Sequence, residues 1–431
     1  MLDIQYIRQN ADTLQEIADK KHIRLSIAEL LEQHQMRSRT LQETEQLRQQ
    51  RNALTREISA QIHTSPATAE NMKQQVRDIN LQLNQLEQQA EQVLEKYNAL
   101  MAIVPNTVSP DTPDGQSDAD NLLLRQTGTP PVFDFVARDH MELGELHDMI
   151  DTARGVKVSG SRNYYLKGNG VLLHRAVQQL AFDLLVSKGY TPLEVPMMVH
   201  GAAMYHTAFF PLGTDQTFRI DQQDRWLTGT SEVALVSYYQ NEIIDLSGGP
   251  VRLAAASQSF RSEVGSAGRD VRGLYRVHQF AKVEQVVLCE ADPEVSEQIL
   301  QEITGNAEEL LQLLELPYQV VAVCIGDMSQ KTYKQYDIET WMPGREAYGE
   351  THSSSNLHDF QARRANIRYR TESGELRFCH TLNNTAVASP RILIPLLENH
   401  QQEDGSIYIP AALRPYMNGM DLLAAPPVTV N

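Results

Sequence analysis

SFRSEVGSAGRDVRGLYRVHQFAKVEQVVL, Ser259 to Leu288, decides how the larger part of this chain is read. Two apolar, β-prone ends flank a glycine-marked middle (Gly265, Gly268, Gly273), so the segment predicts strand, loop and antiparallel strand. Arg261, Arg269, Arg272, Arg276 and Lys282 all lie within it. A hairpin presenting several guanidinium groups from one side suits phosphate or carboxylate, which arginine binds in a two-pronged fashion. Alternation along the second strand puts Phe280, Lys282 and Glu284 on one face. An aromatic plane and a carboxylate beside arginines suit a ligand with a ring, a phosphate and a cationic amine. A surface hairpin with routine salt bridges would explain the arginines, but not Phe280 and Glu284 on the charged face.

Working outward, apolar runs (Val251 to Ala256, Val283 to Leu288, Tyr318 to Ile325) alternate with helical patterns (Leu172 to Ser187, Pro293 to Leu314, Arg391 to Glu398). Together they predict one large α+β domain over residues 122–431. Before it, VPNTVSPDTPDGQSDADN (Val104 to Asn121) has no apolar period and reads as a linker over 105–121. Earlier still the chain changes character: all 23 glycines lie at or after Gly115, and the first 104 residues hold only Pro66 among prolines. Residues 1–104 therefore predict a helical domain.

Within that domain Met72, Val76, Ile79, Leu83, Leu86, Ala90, Val93, Tyr97 and Leu100 form an unbroken heptad seam. Leu47, Leu54, Ile58 and Ile62 form a weaker one, interrupted by Thr44 and Arg51, and the turn Thr64-Ser65-Pro66-Ala67-Thr68 separates the two. A short loop between amphipathic helices predicts an antiparallel coiled-coil arm over about 28–100; dimerisation through the seam is the alternative. Residues 48–77 carry Arg48, Arg51, Arg56, Lys73 and Arg77 against Glu57 and Glu70, a net +3 on a chain of charge −17. A basic tip on an acidic protein suits a local, salt-sensitive contact with phosphate, although a solvated helix face has the same composition.

Composition excludes several classes. No apolar run approaches the length of a membrane span, and the N-terminus shows no export or organelle address, so the cytoplasm is expected and no membrane partner. Cys289, Cys324 and Cys379 are scattered, giving neither a disulfide framework nor a zinc site. GREAYGET (Gly344 to Thr351) has phosphate-loop spacing, but Glu350 occupies the lysine position, where a carboxylate would oppose phosphate unless a metal stood between.

The residues above, with KVSGSRNYYLKG (157–168), LTGTSEVAL (227–235), SNLHDFQARRANIRYR (355–370), HTLNNTAVASPRILIPLLEN (380–399) and QEDGSIYIP (402–410), resemble in order the patterns of bacterial-type seryl-tRNA synthetases. The resemblance implies an N-terminal tRNA-binding coiled-coil arm followed by a class II catalytic domain, an antiparallel sheet flanked by helices. It implies serine activation with ATP and Mg²⁺ and no zinc, then transfer of serine to serine tRNA, and to selenocysteine tRNA where the host makes it. By the same resemblance Pro196 belongs to a homodimer motif. Arg261 binds the α-phosphate and the serine carboxylate, Glu263 reads the adenine amino group, Phe280 stacks on the adenine, and Val277 belongs to the ATP site. Arg276 and Arg391 hold the γ-phosphate, while Glu350 and Ser353 are magnesium and ATP ligands. Thr230, Ser231, Glu232, Glu284, Asn383 and Thr385 form the serine pocket with Arg261. Buried polar groups that need a substrate hydroxyl reject an analogue lacking it by about 10⁴ to 10⁵.

Four positions depart from the family pattern. Asn384 stands where glycine is usual, His352 replaces serine, Gly349 replaces a larger residue, and Ser109 replaces a frequent histidine. If the Asn384 site requires a positive φ, asparagine is the best non-glycine choice, and its side chain is expected to narrow the pocket. A paralogue with an altered, inhibitor-tolerant pocket is one consequence. A carrier-protein-loading adenylating enzyme and a non-catalytic coiled-coil protein are the alternatives from other classes.

Overall fold

In a computed structural model the chain is described over residues 2–61, 65–264 and 272–425. Ile62, Thr64, Gly265, Gly268 and Arg269 of the sequence analysis lie outside the described residues. The chain forms two compact units, residues 2–105 and residues from 106 onward.

The first unit is helical: α1 (Ile4–Gln9), α2 (Ala11–Lys20), α3 (Ile27–Gln61) and α4 (Pro66–Ile103). Asp3 caps α1 by accepting from the Gln5 amide, and Pro66 opens α4, where its missing N–H costs nothing. At 38 residues α4 is roughly 57 Å long. Every member of the heptad seam from Met72 to Leu100 is buried or half-buried, and α3 covers it. The fold-back is intramolecular, with Arg48 pairing Glu87 at 2.8 Å and Lys96 pairing Glu29 at 2.7 Å across the two helices. Thr44 does not interrupt the α3 seam: it is buried, and its hydroxyl donates to the Thr40 carbonyl at 2.7 Å, so no polar atom is stranded.

The second unit is built on eight strands: β1 (Leu122–Thr127), β2 (Thr191–Pro192), β3 (Val251–Phe260), β4 (Gln279–Cys289), β5 (Tyr318–Ala322), β6 (Lys334–Met342), β7 (Ala347–Asn356) and β8 (His380–Ser389). Their order is β1-β5-β6-β7-β8-β4-β3-β2, antiparallel except where β2 joins β3. The other elements used below are α5 (His140–Leu146), α6 (Asn169–Ser187), α7 (Glu232–Ser237), α8 (Pro293–Leu313) and α9 (Leu393–Asn399). One face of the sheet packs on α6 and α8, where Val177, Leu300, Ile303 and Leu310 meet Val283, Val287 and Leu382. Asp292 caps α8 through the Glu294 and Val295 amides, and Pro293 supplies the first turn. The opposite face carries Val286 and Leu288 in a smaller apolar cluster with Ala362 and Ile367, then turns polar toward Phe280.

The segment read as a linker is pinned to the larger unit. Asn106 is 2% exposed, its amide N–H donates to the Gln330 carbonyl (2.9 Å), and its side chain donates to the Lys331 (3.0 Å) and Leu357 (2.8 Å) carbonyls. Ser109 is also buried, and its N–H donates to the Tyr333 carbonyl at 3.0 Å.

Asn384 corrects an expectation. It lies in β8 and is absent from the residues with positive φ. Alternation turns it away from Asn383 and Thr385, into the helix-covered layer, so it does not narrow the pocket. There its amide donates to the Ser354 hydroxyl (2.8 Å) and the Ser353 carbonyl (3.2 Å), and its oxygen accepts from Gln285 (2.6 Å), which in turn accepts from Asn306 (2.9 Å). Removing one member leaves buried partners unsatisfied. Asn384→Gly is expected to cost about 1–3 kcal/mol of stability by urea unfolding, with inhibition by a non-hydrolysable seryl adenylate unchanged.

Candidate active site

β3 and β4 pair from Val251 to Gln279 in continuous register, so the residues leaving their ends are held over one cleft. Arg261 follows β3 directly. Its N–H donates to the His278 carbonyl (2.9 Å) and its Nε to the Gly229 carbonyl (3.4 Å), and its guanidinium lies 5.2 Å from the Phe280 ring centroid. Burial lowers its affinity for a proton first, Arg391 second, while Glu263, Glu350 and Glu284 oppose the shift. Arg261, Glu263, Arg276, Val277, Phe280, Lys282, Glu350, Thr385 and Arg391 all line the same cleft. Glu263 and Arg276 approach to 3.5 Å.

Arg391, in the turn before α9, is fixed from three sides. Nε donates to the Tyr275 carbonyl at 3.1 Å, Nη1 donates to the Glu350 carbonyl at 3.1 Å, and the Glu350 carboxylate is 3.5 Å away. Tyr275, which sequence reasoning did not single out, is a platform for two cations: Arg391 and Arg345 lie 4.4 and 4.1 Å from its ring centroid. The GREAYGET stretch runs from a short turn at Gly344 and Arg345 into the extended strand β7 from Ala347, with no helix following it, which disposes of the phosphate-loop alternative. Gly349 sits tightly there, where a Cβ would come within 3.1 Å of Met342 and 3.3 Å of Tyr275.

Deeper in the unit lie Thr230, Ser231, Glu232, Glu284 and Asn383, each less than 9% exposed. Lys282 pairs Glu284 at 2.6 Å, both buried. Burial drives Lys282 below and Glu284 above their ordinary ranges, and their mutual attraction opposes both shifts. Glu284 lies opposite Thr385 across β4 and β8, next to a bulge at Val283/Glu284. Among the described residues, the Ser231 hydroxyl and the Asn383 amide nitrogen are buried without a hydrogen-bond partner. Such groups are costly to leave unmade, so both are open to a partner that the described residues do not supply.

Ser353 lies opposite Asp337 across β6 and β7 and accepts from Gln335 (3.2 Å), which also donates to Asp337 (2.9 Å). The Asp337 carboxyl, missed in the sequence, is held well above the usual range by burial first and by Glu350 second. Two carboxylates and a hydroxyl at one strand pair are the oxygen donors a hard divalent ion takes, with phosphate completing its shell, so these residues fit Mg²⁺. His352 is buried, its Nδ1 2.8 Å from the Thr351 hydroxyl, and burial brings its pKa down to about 3, so it is neutral.

The arm residues have less free charge than their number suggests. Arg48 pairs Glu87, Lys73 pairs Glu70 at 3.0 Å and Arg77 lies 3.8 Å from Glu70, whereas Arg51 bonds the neutral Asn52 side chain, which offsets no charge. Arg56 has no ion-pair partner among the described residues.

Such a sheet, with its arginines and carboxylates at the ends of β3, β4 and β7, defines a class II aminoacyl-tRNA synthetase core. Residues 217–400 match the family model described as tRNA synthetase class II core domain (G, H, P, S and T), and residues 1–108 match that of the seryl-tRNA synthetase N-terminal domain. The serine–tRNA ligase of Deinococcus radiodurans is 42% identical over 426 residues, 99% of this chain and 100% of the relative. That of Thermomicrobium roseum is 41% identical over 429 residues, 99% and 96% of the two chains. The seryl-tRNA synthetase of Pyrococcus horikoshii, solved with ATP, superposes with a TM-score of 0.89 at 34% identity, covering 99% of this chain and 100% of that one. The cytoplasmic enzyme of Naegleria fowleri, solved with AMP, gives 0.83 at 27% identity, covering 99% of each chain. The chain belongs to the seryl-tRNA synthetase family, and its activity is that of a serine–tRNA ligase. Full-length similarity of this kind favours neither carrier-protein loading nor a non-catalytic role.

Gly273 supports the cleft from behind. Its φ is +84°, and a Cβ there would fall 2.2 Å from His140 Nε2. His140, anchored to buried Glu398 at 2.8 Å, accepts from the Leu274 amide at 3.3 Å and so fixes the approach to Tyr275 and Arg276. Gly273→Ala is expected to raise the KM for ATP about tenfold, measured by pyrophosphate exchange with serine saturating.

Proposed function

We propose that this cleft forms seryl adenylate from L-serine and ATP, with the roles divided among the residues as follows. The adenine ring stacks on Phe280, and Glu263 accepts from its amino group beside Val277. Arg276 and Arg391 hold the terminal phosphate, bending the triphosphate so that the α-phosphorus is open to in-line attack. Arg261 bridges the serine carboxylate and the α-phosphate. A carboxylate oxygen then bonds to the α-phosphorus as the bond to the β-phosphate breaks, and Arg261 offsets the charge that gathers on the phosphoryl oxygens. Mg²⁺ held through Glu350 and Ser353 supplies charge neutralisation to the phosphates when bound. In the second half-reaction a terminal ribose hydroxyl of tRNA attacks the seryl carbonyl, AMP leaves, and the hydroxyl proton passes to solvent.

Selection falls to the buried polar floor. Thr230, Ser231, Glu232, Glu284, Asn383 and Thr385 offer partners to the ammonium and hydroxyl of serine, and alanine leaves them unpaired. The observation that carries this reading is the pair of buried groups without a partner, Ser231 Oγ and Asn383 Nδ2, the latter two residues before Thr385, which lies opposite Glu284. The coiled-coil arm of about 28–100, within a tRNA-binding domain of residues 1–104, grips serine tRNA, and selenocysteine tRNA where present, with Arg48, Arg51, Arg56, Lys73 and Arg77 near backbone phosphates. Residues 105–121 connect it to a catalytic domain of residues 122–431. The enzyme acts as a cytoplasmic homodimer through the motif containing Pro196.

Pyrophosphate exchange is expected with serine, and at least about 10³-fold weaker with alanine. Deleting residues 30–100 is expected to leave exchange intact and abolish transfer to serine tRNA, and raising salt to weaken transfer only. Exchange without transfer by the full chain would contradict the tRNA assignment.

A further inference from the structure

Glu232, the first residue of α7, is held by two groups that lie about a hundred residues or more away in the chain. Lys331 Nζ approaches its Oε1 at 2.5 Å, and the Gln361 amide donates to the same oxygen at 2.7 Å. Gln361 has no freedom to do otherwise: it also donates to the Thr207 carbonyl (3.2 Å), and its oxygen accepts from Thr381 (2.9 Å). The Lys331 ammonium sits 4.5 Å from the Phe209 ring centroid. Its backbone is gripped as well, since Asn106 donates to the Lys331 and Gln330 connection described above. The Lys331–Glu232 pair is almost wholly buried, with side chains 12% and 6% exposed.

Charge on this floor is balanced in pairs. Glu284 has Lys282 and Glu232 has Lys331, and Glu284 experiences Glu232 as a repelling charge and Lys331 as an attracting one. With Lys331 gone, the two carboxylates would share Lys282 alone, and Glu232 would lose one of the two contacts that orient it.

We infer that Lys331 is a positioning residue for amino-acid recognition: its ammonium, with the Gln361 amide, holds Glu232 in a single orientation as the acceptor for the α-ammonium of the incoming serine. The inference rests on the placement of serine beside Glu232 proposed above, and it adds what that carboxylate requires to act. Lys331 does not touch the reacting atoms; it acts through Glu232. Because two contacts converge on Oε1, the second carboxylate oxygen is the one offered to substrate.

The test compares Lys331→Met, Lys331→Gln and Lys331→Arg with Glu232→Gln in the full chain, by pyrophosphate exchange, with thermal melting alongside. Loss of the charge in Lys331→Met and Lys331→Gln is expected to raise the KM for serine about tenfold or more, with kcat and the KM for ATP nearly unchanged. Lys331→Arg is expected to restore most of the serine affinity. Lys331→Gln, which keeps a hydrogen-bond donor, decides the question should Lys331→Met fail to fold. An unchanged serine KM where Glu232→Gln is impaired overturns the inference alone and makes the lysine a structural counter-ion. A lowered serine KM also overturns it, since Lys331 would then be competing with substrate. If Glu232→Gln itself leaves the serine KM unchanged, the placement of the ammonium fails and the inference with it.

Discussion

The period-two alternation of a single strand, β4, is the constraint on which the catalytic unit depends. Val283 and Val287 turn toward α6 and α8 and are wholly buried there. Phe280, Lys282 and Glu284 point the other way, to the cleft and the polar floor. A slip of one residue against β3 or β8 would bury Lys282 and Glu284 under the helices and expose the valines, so the core that stabilises the sheet also fixes the register of the site. Packing and chemistry are thus set by one choice.

Burying ionisable groups in that floor is expensive, and the fold meets the expense by pairing. Lys282 with Glu284, and Lys331 with Glu232, leave little net charge below Arg261. Above them the cleft is cationic through Arg261, Arg276 and Arg391, with Glu263 and Glu350 as counter-charges. The division suits a substrate that is itself divided, a small zwitterion with a hydroxyl meeting a polyanion. Tyr275 stiffens the upper part, since its ring and carbonyl both hold Arg391 in place.

How much of this was legible in the sequence follows from distance along the chain. The hairpin, the arm, the cleft-lining residues Arg261 and Phe280, and the deeper Glu284 could be read because each signal lies within one local period. Three features could not. Asn384 was expected to face the pocket, yet the register that turns it toward Gln285 and Asn306 is a tertiary fact. Lys331 and Gln361 reach Glu232 from remote segments, and no local pattern pairs them. Asp337 sits in an alternating strand like any polar residue, and only its position opposite Ser353 near Glu350 gives it a role. The hydrogen bonds of the connecting segment were out of reach for a related reason: proline and aspartate announce irregular backbone, but the bonds from Asn106 and Ser109 that tie it down are long-range.

The central claim is that the buried polar floor is completed by serine and the arginine-lined cleft by ATP. The most direct measurement is a crystal structure with a non-hydrolysable seryl adenylate. The account predicts adenine on Phe280, the phosphoryl group at Arg261, the serine ammonium at Glu232, and hydrogen bonds acquired by both Ser231 Oγ and Asn383 Nδ2. An analogue bound with its seryl group in solvent, or with those two groups still unpaired, would contradict it.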